Sequence, residues 1–525
     1  MTFEIVFVLL SLLGMVAALI ADKMRPGMIL FSVVVLFLCA GILTPKEMLE
    51  GFSNKGMITV ALLFLVSEGI RQSGTLGQVI KKLLPQGKTT VFKAQLRILP
   101  SVAFISAFLN NTPVVVIFAP IIKHWAKSVN LPATKFLIPL SYVTILGGIC
   151  TLIGTSTNLV VHGMILEAGF EGFSMFELGK VGVFIAIAGI IYIFLFSKRL
   201  LPDARPDTAV PDEEVEEGEK LHRVEAVLGA RFPGINKKLK DFNFQRHYGA
   251  EVKEIKTRNG QRFVTNLDDV VLHEGDTLVV MADDTFIPTW GESSVFVLLT
   301  NGNEPDTSGK KKRWFALLLL VLMIVGATVG ELPVTKEMFP DIKLDMFFFV
   351  SITTIIMAWT NLFPARKYTK YISWDILITI ACAFAISKAM VNSGVADSVA
   401  KFIIGLSDDY GPHVLLAMVF IITNLFTELI TNNAAAALAF PLALSISAQL
   451  GVSPTPFFVV ICMAASASFS TPIGYQTNLI VQGIGNYKFT DFVRIGLPLN
   501  IITFLISVIP VSYTHLRAHE TDSYL

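Results

Sequence analysis

Long apolar runs recur along the chain, separated by short polar or charged stretches, and most are close to the length that crosses a bilayer core as a helix. They cover residues 3–21, 28–44, 57–73, 137–165, 181–197, 314–332, 345–361, 374–391, 457–480 and 492–511. The first run lacks a basic leader and a small-residue cleavage site, so it reads as a retained span and not a signal peptide. Two further apolar stretches, about 96–124 and 412–448, carry polar residues at their middles: Asn110-Asn111-Thr112 and Thr431-Asn432-Asn433. Irregular backbone at that depth is tolerated only where it is buried in protein or lines a wet cavity. Both stretches therefore read as re-entrant hairpins that enter and leave on one side.

Composition agrees with this reading. Hydrophobic residues make up 53% of the 525, charged residues only 16%, against about 25% charged in a soluble protein. Lys plus Arg (42) balance Asp plus Glu (41), so no bulk charge points to nucleic acid. Cys39, Cys150, Cys382 and Cys462 lie in apolar blocks without metal-ligand spacing and read as small core residues. Basic residues cluster in alternate loops, for example Arg71, Lys81, Lys82, Lys198, Arg199, Lys310–Arg313, Arg366 and Lys367. The positive-inside rule then predicts ten spans with both termini outside.

The two halves match at an offset of about 320 residues. Ser73-Gly74 recurs as Ser393-Gly394, each ending an apolar run, and Ser106 before the first tip recurs as Thr427 before the second. Thr151-Leu-Ile-Gly154-Thr-Ser-Thr157-Asn158-Leu159 recurs as Thr471-Pro-Ile-Gly474-Tyr-Gln-Thr477-Asn478-Leu479. Each half holds five spans and a hairpin, so the odd count inserts the second half upside down. The predicted fold class is a polytopic α-helical membrane protein built as an inverted repeat. Inverted repeats with broken helices mark secondary transporters, whose sites lie where the breaks meet.

Asn and Thr at the tips offer amide, carbonyl and hydroxyl groups without a buried charge. Half-helix N-termini suit an anion, whereas carbonyls beside Gly154 and Gly474, with the hydroxyls of Ser106 and Thr427, suit a hard cation. These tips resemble the Ser-Asn-Thr signatures of the divalent-anion/sodium symporter family, within the broader ion-transporter superfamily, over about 1–200 and 314–511. The resemblance implies an elevator-type importer that couples sodium flow to uptake of sulfate, phosphate or di- and tricarboxylates. By the family pattern, Ser106, Asn110, Asn111 and Gly154 hold one sodium ion, and Thr427, Thr431, Asn432 and Gly474 the other. Asn111, Thr112, Asn432 and Asn433, with Thr155, Ser156 and Tyr475, face the anion. The coupling ion apart, no cofactor is expected. Asn110 departs from the usual Ser, and Thr431-Asn432-Asn433 from Ser-Asn-Thr. The paired prolines common after the glycine are replaced by Ser156-Thr157 and Gln476-Thr477. The longer side chains of Asn110 and Asn433 narrow the cavity and favour a sulfate-like oxyanion over a dicarboxylate.

Ionisable residues inside spans are costly. Glu68 and Lys388 hold equivalent repeat positions and Glu428 lies in the second hairpin, each readable as a relay or as a structural or snorkelling group. His124 and His162 read as interfacial residues, not ligands.

Residues 200–313 interrupt the apolar pattern. An acidic linker (Asp212 to Glu219) leads to strand-like runs at Arg223–Leu228, Glu251–Lys256 and Asp276–Met281, a turn at Asn259-Gly260, and a helical stretch near Ile235–Phe242. This module, core about 220–297, is similar to the TrkA-C (RCK-C) domain of potassium-uptake regulators, on the Phe-Asn-Phe-Gln-Arg-His-Tyr-Gly run at 242–249 and Leu272-His-Glu-Gly-Asp-Thr-Leu278. It predicts a cytoplasmic regulatory domain that pairs with a second copy in a homodimer and takes a small ligand. Residues 1–199 and 314–511 form the membrane repeats. Ser512–Thr521 resembles a translated sequencing adapter, so 512–525 reads as a non-native tail.

Two alternatives stay open: a potassium or cation transporter regulated by the inserted module, and an arsenite-type efflux permease. Thr328-Val329-Gly330 starts a potassium-filter string that Glu331 breaks. A membrane enzyme is excluded by the lack of H-E-x-x-H or G-x-S-x-G strings and of an acid/base pair at the tips. Gly87-Lys88-Thr89 echoes a P-loop, but Lys82 stands where its first Gly is needed. The expected setting is a bacterial inner membrane.

Overall fold

A computed structural model describes residues 3–515 apart from 22–23, 204–221, 230, 258–260, 284–285, 287–289, 291–294, 301–309, 340 and 406–411. The first half runs α1 (Phe3–Ala21), α2 (Pro26–Cys39), α3 (Pro45–Glu50), α4 (Lys55–Gln72), α5 (Thr75–Leu83), α6 (Val91–Ser106), α7 (Asn111–Ser128), α8 (Leu137–Gly148), α9 (Ser156–Glu167) and α10 (Gly179–Leu200). The second half begins with α12 (Lys310–Gly330), α13 (Pro333–Met338), α14 (Met346–Trp359), α15 (Tyr368–Tyr371) and α16 (Trp374–Asn392). It continues through α17 (Val395–Gly405), α18 (Pro412–Leu429), α19 (Asn432–Leu450), α20 (Thr455–Ser466), α21 (Gln476–Gly485) and α22 (Phe489–His515). Between the halves lie five strands and α11 (Phe244–Tyr248). Among the described residues, seven helices are long and apolar enough to cross a membrane by length and composition. The protein is an integral membrane protein of the predicted helical class.

The repeat reads element against element: α4–α5 against α16–α17, hairpin α6/α7 against α18/α19, and α8/α9 against α20/α21. Gly74 and Gly394 turn the chain at matching points with φ of +70° and +75°, a conformation glycine adopts at little cost. The predicted single spans at 137–165 and 457–480 are corrected. Each is two half-helices, broken at Ile149–Thr155 and Ala467–Tyr475. Asn158 shows why the break holds: its Nδ2 donates to the carbonyls of Thr151 (2.9 Å) and Gly148 (3.3 Å), groups left over by the lost helical bonds. Asn478 repeats this with Thr471 (3.2 Å) and Ser468 (2.8 Å).

Two bundles result. In one, α2 packs on α16, and α4 and α12 on α14; in the other, α6 packs on α8, α18 on α20, and α10 on α22. They meet where α9 lies on α4 and α19 on α16. Because lipid is as apolar as Leu, close packing drives this association. Every residue of α8 is buried, and Tyr142 there donates its hydroxyl to the Phe469 carbonyl at 2.5 Å.

The insertion is an antiparallel sheet of β1 (His222–Leu228), β2 (Glu251–Lys256), β3 (Arg262–Phe263), β4 (Thr277–Ala282) and β5 (Phe296–Thr300), in the order β3-β2-β4-β1-β5. The three predicted strands are present. The helix expected near Ile235–Phe242 is not: Asn236 sits at φ +61° and only a single 3₁₀ turn, Leu239–Asp241, forms. The helix starts later, where Asn243 accepts from the Arg246 N–H at 3.0 Å and caps α11. Phe232, Phe242 and Tyr248 fill this domain's own core. The Asn259-Gly260 turn lies outside the described residues, as does the tail from 516 onward, and α22 continues to His515.

Candidate transport site

Four helix N-termini meet among the hairpins and broken helices: α7 at Asn111, α9 at Ser156, α19 at Asn432 and α21 at Gln476. Their contacts follow the repeat. Ser106 donates to Asn111 Oδ1 (2.7 Å) and to the Thr144 carbonyl (2.9 Å). Thr427 donates to Asn432 Oδ1 (2.9 Å) and the Ala465 carbonyl (2.6 Å). Each hairpin then reaches the broken helix of the other repeat: Thr112 donates to Gln476 Oε1 at 3.2 Å, and Ser156 to Asn433 Oδ1 at 3.4 Å. At the centre Asn111 Nδ2 donates to the Tyr475 hydroxyl at 2.6 Å, and Thr155, the repeat partner of Tyr475, lies 3.0 Å from that same oxygen.

Two oxygen clusters flank this centre. One gathers Ser106 Oγ, Asn111 Oδ1 and the Thr144 carbonyl, closed by a tight approach of Gly154 to the Gly148 carbonyl, which a Cβ at Gly154 would prevent. The other gathers Thr427 Oγ1, Asn432 Oδ1 and the Ala465 carbonyl, and a Cβ at Gly474 would collide with Ser468 Oγ and the Thr427 carbonyl. Both sets are neutral oxygens, the donor type a hard cation takes. Asn111 and Thr427 are fully buried.

Two predicted residues stand apart. Thr431 Oγ1 is buried with no hydrogen-bond partner, and Asn110 makes no cap bond. Asn110 and Ser156 instead line a cavity of about 10 Å³ beside Ser67, room for one water-sized particle. Glu428 lies behind the second cluster, accepting from the Ser470 N–H at 2.9 Å and Asn500 Nδ2 at 2.7 Å. Glu68 pairs with Arg71 one turn on in α4 (2.6 Å), and Lys388 is exposed, so neither reaches the tips. His124 is exposed and His162 is half-buried, its ring against Gly172. Cys39 is exposed, not a core residue, whereas Cys382 and Cys462 are buried. Sequence reasoning passed over Gln476 and Thr144; only the repeat register, which pairs them with Ser156 and Ala465, signals them.

Inverted halves, paired hairpins and crossed broken helices define a polytopic secondary transporter. The signature of the citrate transporter family (CitMHS) matches residues 16–445 and 342–522. The chain belongs to that family, and the resemblance to the divalent-anion/sodium symporters holds. It is similar to the uncharacterized transporter sll0640 of Synechocystis sp., 30% identical over 559 residues that cover 90% of this chain and 91% of that protein. It is also similar to probable sodium/sulfate cotransporter 3 of Chlamydomonas reinhardtii, 23% identical over 786 residues, covering 94% and 86%. The Alcanivorax borkumensis YdaH transporter crystal structure shares the fold alone, with TM-score 0.53, 12% identity and coverage of 89% and 87%. The chain is a secondary anion transporter and not an enzyme.

Proposed function

We propose sodium-coupled, elevator-type uptake of a small divalent anion, with sulfate favoured over dicarboxylates. The observation that carries this reading is the meeting of four helix N-termini at a centre linked by Asn, Thr, Ser, Tyr and Gln side chains. Each N-terminus contributes roughly half a positive charge, and none of those linking side chains is a carboxylate. The anion takes over the cross-bonds of Thr112, Ser156, Asn433 and Tyr475. Asn111 and Asn432 turn their Oδ1 atoms to the flanking oxygen clusters, where two sodium ions supply the remaining positive charge.

One bundle, carrying both hairpins and both broken helices, slides against the other, which stays fixed. The basic loops lie on the cytoplasmic side, and the inserted domain regulates from there. In support, β1 Glu225 pairs with Lys123 of α7 at 3.0 Å, and Thr277 at the start of β4 abuts Gly483 of α21. The domain thus sits on the far ends of two helices whose N-termini build the site.

Uptake of labelled sulfate, phosphate, succinate and citrate into proteoliposomes, with and without a sodium gradient, tests the reading. Sulfate uptake driven by sodium and inhibited only weakly by succinate supports it. Succinate or citrate carried better than sulfate overturns the choice of anion. The family's name favours citrate as the competitor to beat.

A further inference from the structure

A cavity of about 790 Å³ lies at the seam between the inserted domain and the first bundle, lined by none of the tip residues. Ligand cavities fall in this size range and favour such seams. Its lining changes character along its length. Phe31 of α2 and Ile378 of α16, with Phe52, make an apolar end. Phe31 stands five residues beyond the start of α2, about 7 Å deeper into the bilayer. At the other end Arg25 and Asp375, from the starts of α2 and α16, face Arg231 and Glu274 of the inserted domain. Both guanidiniums lie close enough to Asp375 to act on its charge, and Asp375 accepts the Gly27 N–H at 3.3 Å. Trp374 marks the rim, 45% exposed, with its Nε1 donating to the Thr369 carbonyl at 3.2 Å. An indole so placed, polar tip anchored and ring exposed at the start of a span, sits at the level of lipid headgroups.

We propose that this cavity binds a glycerophospholipid, its phosphate held by Arg25 and Arg231 and an acyl chain laid along Met28 and Phe31. Arginine suits phosphate because its planar fork donates two parallel bonds. The apolar end and the exposed rim favour an amphiphile from the bilayer over a soluble phosphate. The lipid then ties the inserted domain to the membrane bundle.

Native mass spectrometry of the full chain in detergent tests this, with phosphatidylglycerol, phosphatidylethanolamine, diacylglycerol and soluble glycerophosphate offered in turn. One phospholipid of either type retained per chain, with neither diacylglycerol nor glycerophosphate retained, is the expected result. Arg25→Ala with Arg231→Ala lowers retention by about a hundredfold or more, as loss of two charge-assisted bonds implies, whereas Lys88→Ala elsewhere on the basic face leaves it unchanged. Diacylglycerol retained equally well, glycerophosphate retained alone, or no phospholipid retained above the Arg pair's variant overturns the proposal. The comparison of lipids on the unaltered chain keeps the test decisive where the double variant fails to fold.

Discussion

At the scale of single residues, the candidate site is a set of crossed hydrogen bonds, and Tyr475 lies at its centre. Tyr475→Phe removes the oxygen shared by Asn111 and Thr155 and costs about 1 kcal/mol. The KM for the anion then rises about fivefold while maximal uptake changes less, read from uptake kinetics. Asn111→Ala and Asn432→Ala each remove the carbonyl oxygen that a cluster hydroxyl donates to, and sodium-driven uptake falls to background in both. Thr112 and the Gly154 and Gly474 strings were legible because polar residues inside apolar runs mark a broken helix, whereas Asn110, read the same way, lies outside the crossed bonds. The partners were not legible, since a hydrogen bond across about 320 residues, such as Thr155 to Tyr475, depends on how the halves cross. Gln476 is the clear case: as a sequence it only replaces an expected proline, whereas in space it meets Thr112.

At the scale of elements, apolar periodicity located most spans within a few residues, but it ran through both breaks. Flanking half-helices are as apolar as a full span, and only the Thr-Gly-Asn strings hint at the interruption. In the inserted module the strands were legible from alternation, but α11 was displaced because Asn243, not an earlier residue, supplies the cap. The docking of that module onto α7 gives a prediction of its own. Burial alone would raise the Glu225 carboxyl, yet Lys123 and Lys256 hold it at about 2. A lowered value stabilises docking above the ordinary carboxylate range, near pH 4.3, and the contribution fades as pH falls towards 2. Amide hydrogen exchange over β1 therefore stays constant from pH 5 to 8 after correction for intrinsic rates. Lys123→Ala raises that exchange several-fold at neutral pH without unfolding the membrane bundle.

At the scale of the whole molecule, the proposed uptake needs positive charge that the protein supplies only in part. In the proposed mechanism the four helix ends attract the anion and sodium ions in the oxygen clusters supply the rest. Glu428, beside Thr427 and held by Ser470 and Asn500, places a carboxyl group near the second cluster. Glu428→Gln raises the sodium concentration for half-maximal uptake several-fold in a sodium titration, with little effect on sulfate affinity at saturating sodium. The most direct measurement of the central claim is the KM for labelled sulfate in proteoliposomes as external sodium is varied, with potassium replacing it at constant ionic strength. The KM falls steeply as sodium rises, and uptake collapses when potassium replaces sodium entirely. Sulfate uptake with the same KM and rate in potassium alone would contradict the account.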